Sequence, residues 1–303
     1  MNKTRLFLLV GFVLVFLVLM VSLTMMGVKF LVKAKNEKSV TTASLLSPSK
    51  PTQSPPTPTP SLTPQQIAEI KRKEFEAWNN KYGPCKYVPI LMYHHVTEAS
   101  AAKAILATNL NVTPETFRSQ IDYLLGKGYT FLRLDEMVDR IKNGSLPNKS
   151  VVLTFDDGYT DFYDYVFPIL REKGIKATLF VISQYAGGER YAGWGEIKEM
   201  SDSGLVLIGN HTLNHHALPS LNKEDEYNQI VSARQIIEEH INRPVLYFAY
   251  PYGGVNKVAE QILKEDSFLG AVLTTNLHPQ CLGLPYEFSR IRIGEGSMSR
   301  YGL

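Results

Sequence analysis

Asp156 and Asp157 stand side by side behind an apolar run, Val151-Val152-Leu153-Thr154-Phe155, and Gly158 follows them. Adjacent carboxylates repel, most strongly where water is scarce, so a fold that places both at a strand end must offset their charge. A divalent cation for one and a proton or a guanidinium for the other would do so. Downstream, His211 and His215 are four residues apart in His211-Thr212-Leu213-Asn214-His215. Read as one helical turn, that spacing points both imidazoles the same way. Imidazole nitrogen and carboxylate oxygen are ligands of Zn²⁺ and similar ions, and three of them leave a position open for water or substrate. The pattern suggests a metal-dependent hydrolase, with Zn²⁺ foremost and Co²⁺ or Ni²⁺ as alternatives. The second carboxylate is then placed to take a proton from the attacking water.

Such a reaction needs two further groups. An oxyanion must be stabilised, and a backbone N–H in the Tyr250-Pro251-Tyr252-Gly253 turn, at Tyr252, is a candidate. A general acid must protonate the leaving group, and the candidates are His94, His95 and His278. For stacking on a ligand ring the sequence offers Tyr252 and Trp194; most other aromatics have core spacings.

The elements that carry these residues alternate. Apolar strand-like runs at 87–93, 151–155, 177–182, 205–208, 245–248 and 271–274 are separated by helical spacings at 113–126, 161–173, 194–203, 223–241 and 257–264. Strand–helix alternation of this kind predicts a parallel sheet covered by helices. Six or more repeats favour a closed or nearly closed (β/α) barrel, whose active site lies at the C-terminal ends of its strands. Asp156, Asp157, His211 and the Tyr250–Gly253 turn each follow a predicted strand, so they should converge.

The set Thr154-Phe155-Asp156-Asp157-Gly158, His211-Thr212-Leu213-Asn214-His215 and Tyr250-Pro251-Tyr252-Gly253 resembles the polysaccharide deacetylases, the NodB-homology domains of carbohydrate esterase family four. The resemblance covers about residues 85–300. It implies an α/β fold, a deformed (β/α)7-type barrel, and hydrolysis of N-acetyl or less often O-acetyl groups on a polysaccharide. It implies Asp156 as general base and Asp157, His211 and His215 as metal ligands. The chain departs from the family pattern where Ala249 holds the place of a usual Arg; Arg290 or Arg292 is the candidate replacement that orients the base. The late Leu-x-x-His-Asp motif is also absent. Leu91-Met92-Tyr93-His94-His95-Val96 instead resembles the branch acting on poly-β-1,6-N-acetylglucosamine, which implies His94 as the acid. The expected function is N-deacetylation of N-acetylglucosamine-containing glycans, poly-N-acetylglucosamine or peptidoglycan. The alternatives are an O-acetyl esterase on xylan or a wall polymer, and a non-catalytic glycan-binding module.

The N-terminal part reads differently. Leu6 to Val28 are 23 uncharged, mostly apolar residues, long enough to span a hydrocarbon core of about 30 Å. Residues 1–38 are expected to form one transmembrane anchor with basic flanks. Residues 39–65 hold seven of the chain's 17 prolines among Ser and Thr, a composition that stays extended as a linker. A lead-in helix is expected over 66–84, where Thr63 and Pro64 are start signals, and the catalytic domain over 85–303. Lysines after the span lean toward a cytoplasmic C-terminal part. The stiff linker argues the other way, for a single-pass membrane protein whose catalytic domain is extracellular or in the cell wall. Cys85 and Cys281, near the two ends of that domain, either form one bridge or stay unpaired. A net charge of +3 without a basic aromatic stripe gives no sign of nucleic-acid binding. The partners expected are a polysaccharide and the membrane; no oligomeric state follows from the sequence.

Overall fold

The computed structural model describes residues 62–275 and 278–303. The expected span at 6–28 and nearly all of the linker lie outside them, and among the described residues no helix is long and apolar enough to cross a membrane. The described chain starts on α1 (Pro64–Tyr82), which Thr63 caps by accepting from the Gln66 amide.

Eight parallel strands form the main sheet: β1 (Ile90–Tyr93), β2 (Thr130–Leu132), β3 (Ser150–Phe155), β4 (Ala177–Val181), β5 (Val206–Asn210), β6 (Tyr247–Ala249), β7 (Gly270–Val272) and β8 (Ile291–Arg292). Their spatial order is β7-β6-β5-β4-β3-β1-β8. β2 and β4 share one edge of β3: β2 pairs with Ser150 to Val152, and β4 pairs with Thr154 and Phe155. That shared edge deforms the sheet, which curls as a half-barrel. The segment running into β8 bridges the gap between the end strands. Phe288 exchanges hydrogen bonds with Ala271 and Leu273 beside β7, and Ile293 N donates to Met92 O at 3.0 Å on β1.

β3 is buried along its whole length, as a central strand with both faces covered must be. Alternate residues divide between two cores. Val151, Leu153 and Phe155 pack under the helices, whereas Val152 joins Ile90, Phe180, Ala249 and Phe288 inside the barrel. The covering helices are α2 (Pro114–Gly126), α3 (Leu134–Lys142), α4 (Phe167–Lys173), α5 (Trp194–Asp202), α6 (Ala233–Ile241) and α7 (Lys257–Glu265). Each buries residues at three- and four-residue spacing, such as Phe117, Ile121 and Leu124 of α2. π-helical turns at Phe162–Val166 and Asn228–Ser232 lead into α4 and α6. A disulfide joins Cys85 to Cys281, on two short antiparallel strands outside the main sheet.

Candidate active site

Parity places the first carboxylate. Val152, Thr154 and Asp156 are two residues apart, so Asp156 continues the inward face of β3 at its C-terminal end. Phe288, Arg290 and Arg292 run two apart in the same way across the barrel. Arg290 and Asp156 therefore meet: Nη1 donates to Oδ1 and Nη2 to Oδ2, each at 2.7 Å. Arg290 is held in turn by Leu273 O at 2.6 Å and Thr154 Oγ1 at 3.1 Å. Both partners are buried. Burial alone would push the Asp156 carboxyl up, but the Arg290 charge and its two hydrogen bonds outweigh this and hold it below its ordinary value. The guanidinium missing at Ala249 thus comes from the strand that bridges the barrel. Ala249 contributes through its backbone instead, with its carbonyl 2.7 Å from His211 Nδ1.

A carbonyl only accepts, so His211 Nδ1 carries the proton and Nε2 presents its lone pair. Asp157 Oδ1 lies 3.4 Å from His211 Nε2 and 3.3 Å from His215 Nε2. This carboxylate oxygen is buried and, among the described residues, has no hydrogen-bond partner. Ligands at Zn–N and Zn–O distances of about 2.0–2.2 Å in a tetrahedron are about 3.3–3.5 Å apart, which matches both separations. Asp157, His211 and His215 therefore fit a divalent ion. Burial pushes His215 down to about 4, so it stays neutral and able to ligate near pH 7. Burial would likewise lower His211, but the neighbouring aspartates more than offset it and leave it raised.

The convergence does not come from the helical turn expected for residues 211–215. They form a tight turn with left-handed backbone at Thr212 (φ 72°) and His215 (φ 64°). Asp157 (φ 75°) and Tyr252 (φ 58°) share that conformation. Non-glycine residues reach it at a cost of about 1–2 kcal/mol each, and such strain concentrates where a site over-determines the backbone. Asn210 supports the turn: its side chain accepts from Thr212 N at 2.8 Å and donates to Ile230 O at 2.7 Å.

These groups open into a cavity of about 520 Å³, lined also by His94, Tyr252, Arg292 and three tyrosines, Tyr159, Tyr185 and Tyr191. Burial lowers His94; Asp156 and Asp157 pull it back up, and Arg290 and Arg292 lower it again. The Tyr252 ring is 71 % exposed and packs edge-on against His215, with centroids 4.7 Å apart.

The other two acid candidates are elsewhere. His95 turns away from the cavity, with Nδ1 2.6 Å from Asp161 Oδ2 and its ring stacked on Tyr159. His278 stacks on Trp78 of α1 and lines a different cavity, beside Pro89 and Ser150, where β1 and β3 begin. Trp194 also requires correction. It does not line the site; its ring stacks on His240 with centroids 4.0 Å apart. The aromatic wall is instead Tyr159, Tyr185 and Tyr191, with neighbouring centroids 5.1 Å and 5.0 Å apart. Tyr185 and Tyr191 sit on the long loop after β4, where no periodicity signals a direction.

A parallel curled sheet with a carboxylate–imidazole cluster at its C-terminal mouth fits the class of metal-assisted hydrolases, and comparison with known proteins agrees. A family described as polysaccharide deacetylase matches residues 143–269. A poly-β-1,6-N-acetyl-D-glucosamine N-deacetylase of Staphylococcus aureus (strain MSSA476) is 30 % identical over 201 residues, covering 58 % of this chain and 68 % of that protein. The structure of the Streptococcus pyogenes deacetylase PplD in complex with acetate is 30 % identical, with a TM-score of 0.64, covering 69 % of this chain and 93 % of the other. The structure of IcaB from Ammonifex degensii is 26 % identical, with a TM-score of 0.60, covering 68 % and 91 %. The chain belongs to the polysaccharide deacetylase family and is a hydrolase.

Proposed function

We propose that the chain is a metal-dependent N-deacetylase of N-acetylglucosamine-containing polysaccharides, with poly-β-1,6-N-acetylglucosamine the first substrate to test. One observation carries the mechanism: a carboxylate locked in its ionised form by Arg290 stands next to an Asp–His–His cluster with ligand spacing. A divalent ion held by Asp157, His211 and His215, with Zn²⁺ the first candidate, would act as Lewis acid toward the acetyl carbonyl and lower the pKa of water. The chain's own groups do the rest. Asp156 accepts the proton of the attacking water, and Arg290 fixes both oxygens of that carboxylate so that it meets the water in one orientation. The Tyr252 backbone adds to oxyanion stabilisation. His94, lining the same cavity, is the imidazole placed to protonate the leaving amine. The tyrosine wall and Tyr252 hold the sugar rings.

The full chain, stripped of metal and then restored with Zn²⁺ or Co²⁺, should release acetate from β-1,6-linked oligomers only when restored. Peptidoglycan, β-1,4 oligomers and acetylated xylan complete the panel. Release from xylan alone would replace the amide reading with an ester one, and glycan binding without any release would make the domain a binding module. Asp156→Asn should abolish turnover and keep the metal, whereas His211→Ala should lose both.

We further propose that residues 6–28 anchor the protein as a single membrane span, with the catalytic domain outside and residues 39–65 as spacer. The Cys85–Cys281 disulfide supports an oxidising compartment. Protease added to intact cells should cut the linker and release the domain; protection until lysis would reverse the topology.

A further inference from the structure

α1 buries no residue, so the barrel's core does not need it. It is nevertheless fixed in place: Trp78 stacks on His278 with ring centroids 4.7 Å apart, and the Cys85–Cys281 disulfide ties the chain leaving α1 to the segment after His278. Between these two stretches lies a cavity of about 420 Å³. Pro89 and Ser150 line it, which places it where β1 and β3 begin, at the opposite end of the barrel from Asp156. Trp78, Tyr87 and Tyr129 give it aromatic walls. The Tyr87 ring is 66 % exposed and rests on Phe75, with centroids 5.0 Å apart. Glu74 and Lys149 are its charged lining side chains and cancel, and Asn148 adds an amide. Among the described residues, the His278 Nε2 at this cavity has no hydrogen-bond partner.

We propose that this cavity is a second glycan-binding site, one that holds a stretch of uncharged polysaccharide without reacting with it. The inference rests on the polysaccharide reading above. A pyranose ring offers a C–H face to an aromatic plane and a rim of hydroxyls to polar groups around it. The cavity supplies both. Its volume lies within the usual range for small-ligand sites, about 300–1,000 Å³. No group here resembles the carboxylate–imidazole cluster, so a strand bound here is retained. A polymer held by this face presents its other residues to the reactive mouth at raised effective concentration. The benefit therefore belongs to long chains, and short oligomers gain nothing from it.

The chain has two tryptophans, Trp78 and Trp194, so a Trp194→Phe chain reports from Trp78 alone. Titrating it with β-1,6- and β-1,4-linked N-acetylglucosamine oligomers should give a saturable fluorescence change. The change should persist when Asp157→Ala removes a ligand of the reactive cluster. It should weaken about five- to tenfold when Tyr87→Ala, an exposed substitution, removes one aromatic wall. In the otherwise native chain, Tyr87→Ala should raise KM for polymer and leave the kinetics on short oligomers unchanged. Absence of any Trp78 response, a response lost in Asp157→Ala, or one indifferent to Tyr87→Ala would each overturn the proposal. A chain that gives the Trp78 response but releases no acetate would fail as an enzyme and keep this site, so the two readings stand or fall separately.

Discussion

Asp156 is a buried carboxylate whose state depends on one guanidinium. Arg290→Lys keeps the charge but cannot make the two-point fork. It should lower kcat by about 10²-fold through misorientation of the base, with metal content unchanged by elemental analysis. Arg290→Met should cost about 3–5 kcal/mol, because it leaves a buried charge unpaired. The pH dependence then changes sign. In the native chain Asp156 is held below its ordinary 3.8, so its contribution to stability is present above that value and lost as pH falls through the lowered one. Without Arg290, burial, the largest cause, is opposed only by the charges of His211 and His94. It should then raise the carboxyl, so stability is present at low pH and lost as pH rises. Urea midpoints of the two proteins should therefore diverge between about pH 4 and 7; parallel curves would refute this account of the pair. Arg292 acts on His94 through charge in the same way. Removing that charge in Arg292→Ala should raise His94, and with His94 as proton donor the alkaline limb of kcat/KM should move to higher pH. An unmoved limb would assign the donor elsewhere. Asp156, Asp157, His211 and His215 were legible in the sequence because their side-chain types are costly to place together without a purpose. Arg290 and Arg292 share one parity and were not separable until the bridging of the barrel showed Arg290 buried against Asp156 and Arg292 exposed at the mouth.

At the scale of elements, alternation was readable and the turns between elements were not. β3, β4 and α2 follow from apolar runs and three- and four-residue spacings, and their bounds differ from expectation by a residue or so. β2 is three residues long, too short to carry a period. α3 does carry one, in Leu134, Met137 and Ile141, but over nine residues it is too brief to stand out. The reversal at residues 211–215 depends on left-handed backbone at Thr212 and His215, and a β-branched threonine gives no notice of it. Gly209, the residue before Asn210, shows how tightly that region is set. A Cβ there would lie 2.4 Å from Phe180 Cδ1, inside the barrel core. Gly209→Ala should destabilise by about 1–3 kcal/mol and weaken metal binding, because β5 delivers both Asn210 and His211. Calorimetric metal titration alongside urea unfolding would separate the two effects. Unchanged metal affinity at reduced stability would show that the turn is fixed from its far side, through Gln229, which accepts from the Leu213 and Asn214 amides.

For the whole described molecule, the two ends of the barrel differ in character. The C-terminal mouth holds the strained, charged and reactive groups, while the start of the strands is fastened by α1 and a covalent link. Cys85 and Cys281 are 196 residues apart in sequence, so their bond closes nearly the whole folded chain. Closing so long a loop removes unfolded-state entropy, and bonds of this kind are worth about 2–5 kcal/mol. Reduction, or paired Cys85→Ser and Cys281→Ser substitution, should therefore lower Tm by roughly 5–15 °C for a domain of this size. Acetate release from short oligomers at 25 °C should persist, because no group of the Asp156–Asp157–His211–His215 site touches either sulfur. Use of long polymer should suffer more, since the bond also fastens the aromatic cavity between α1 and the segment at His278. Equal loss on short and long substrates would mean that the bond acts on the barrel as a unit; selective loss on polymer would locate its effect at the far end.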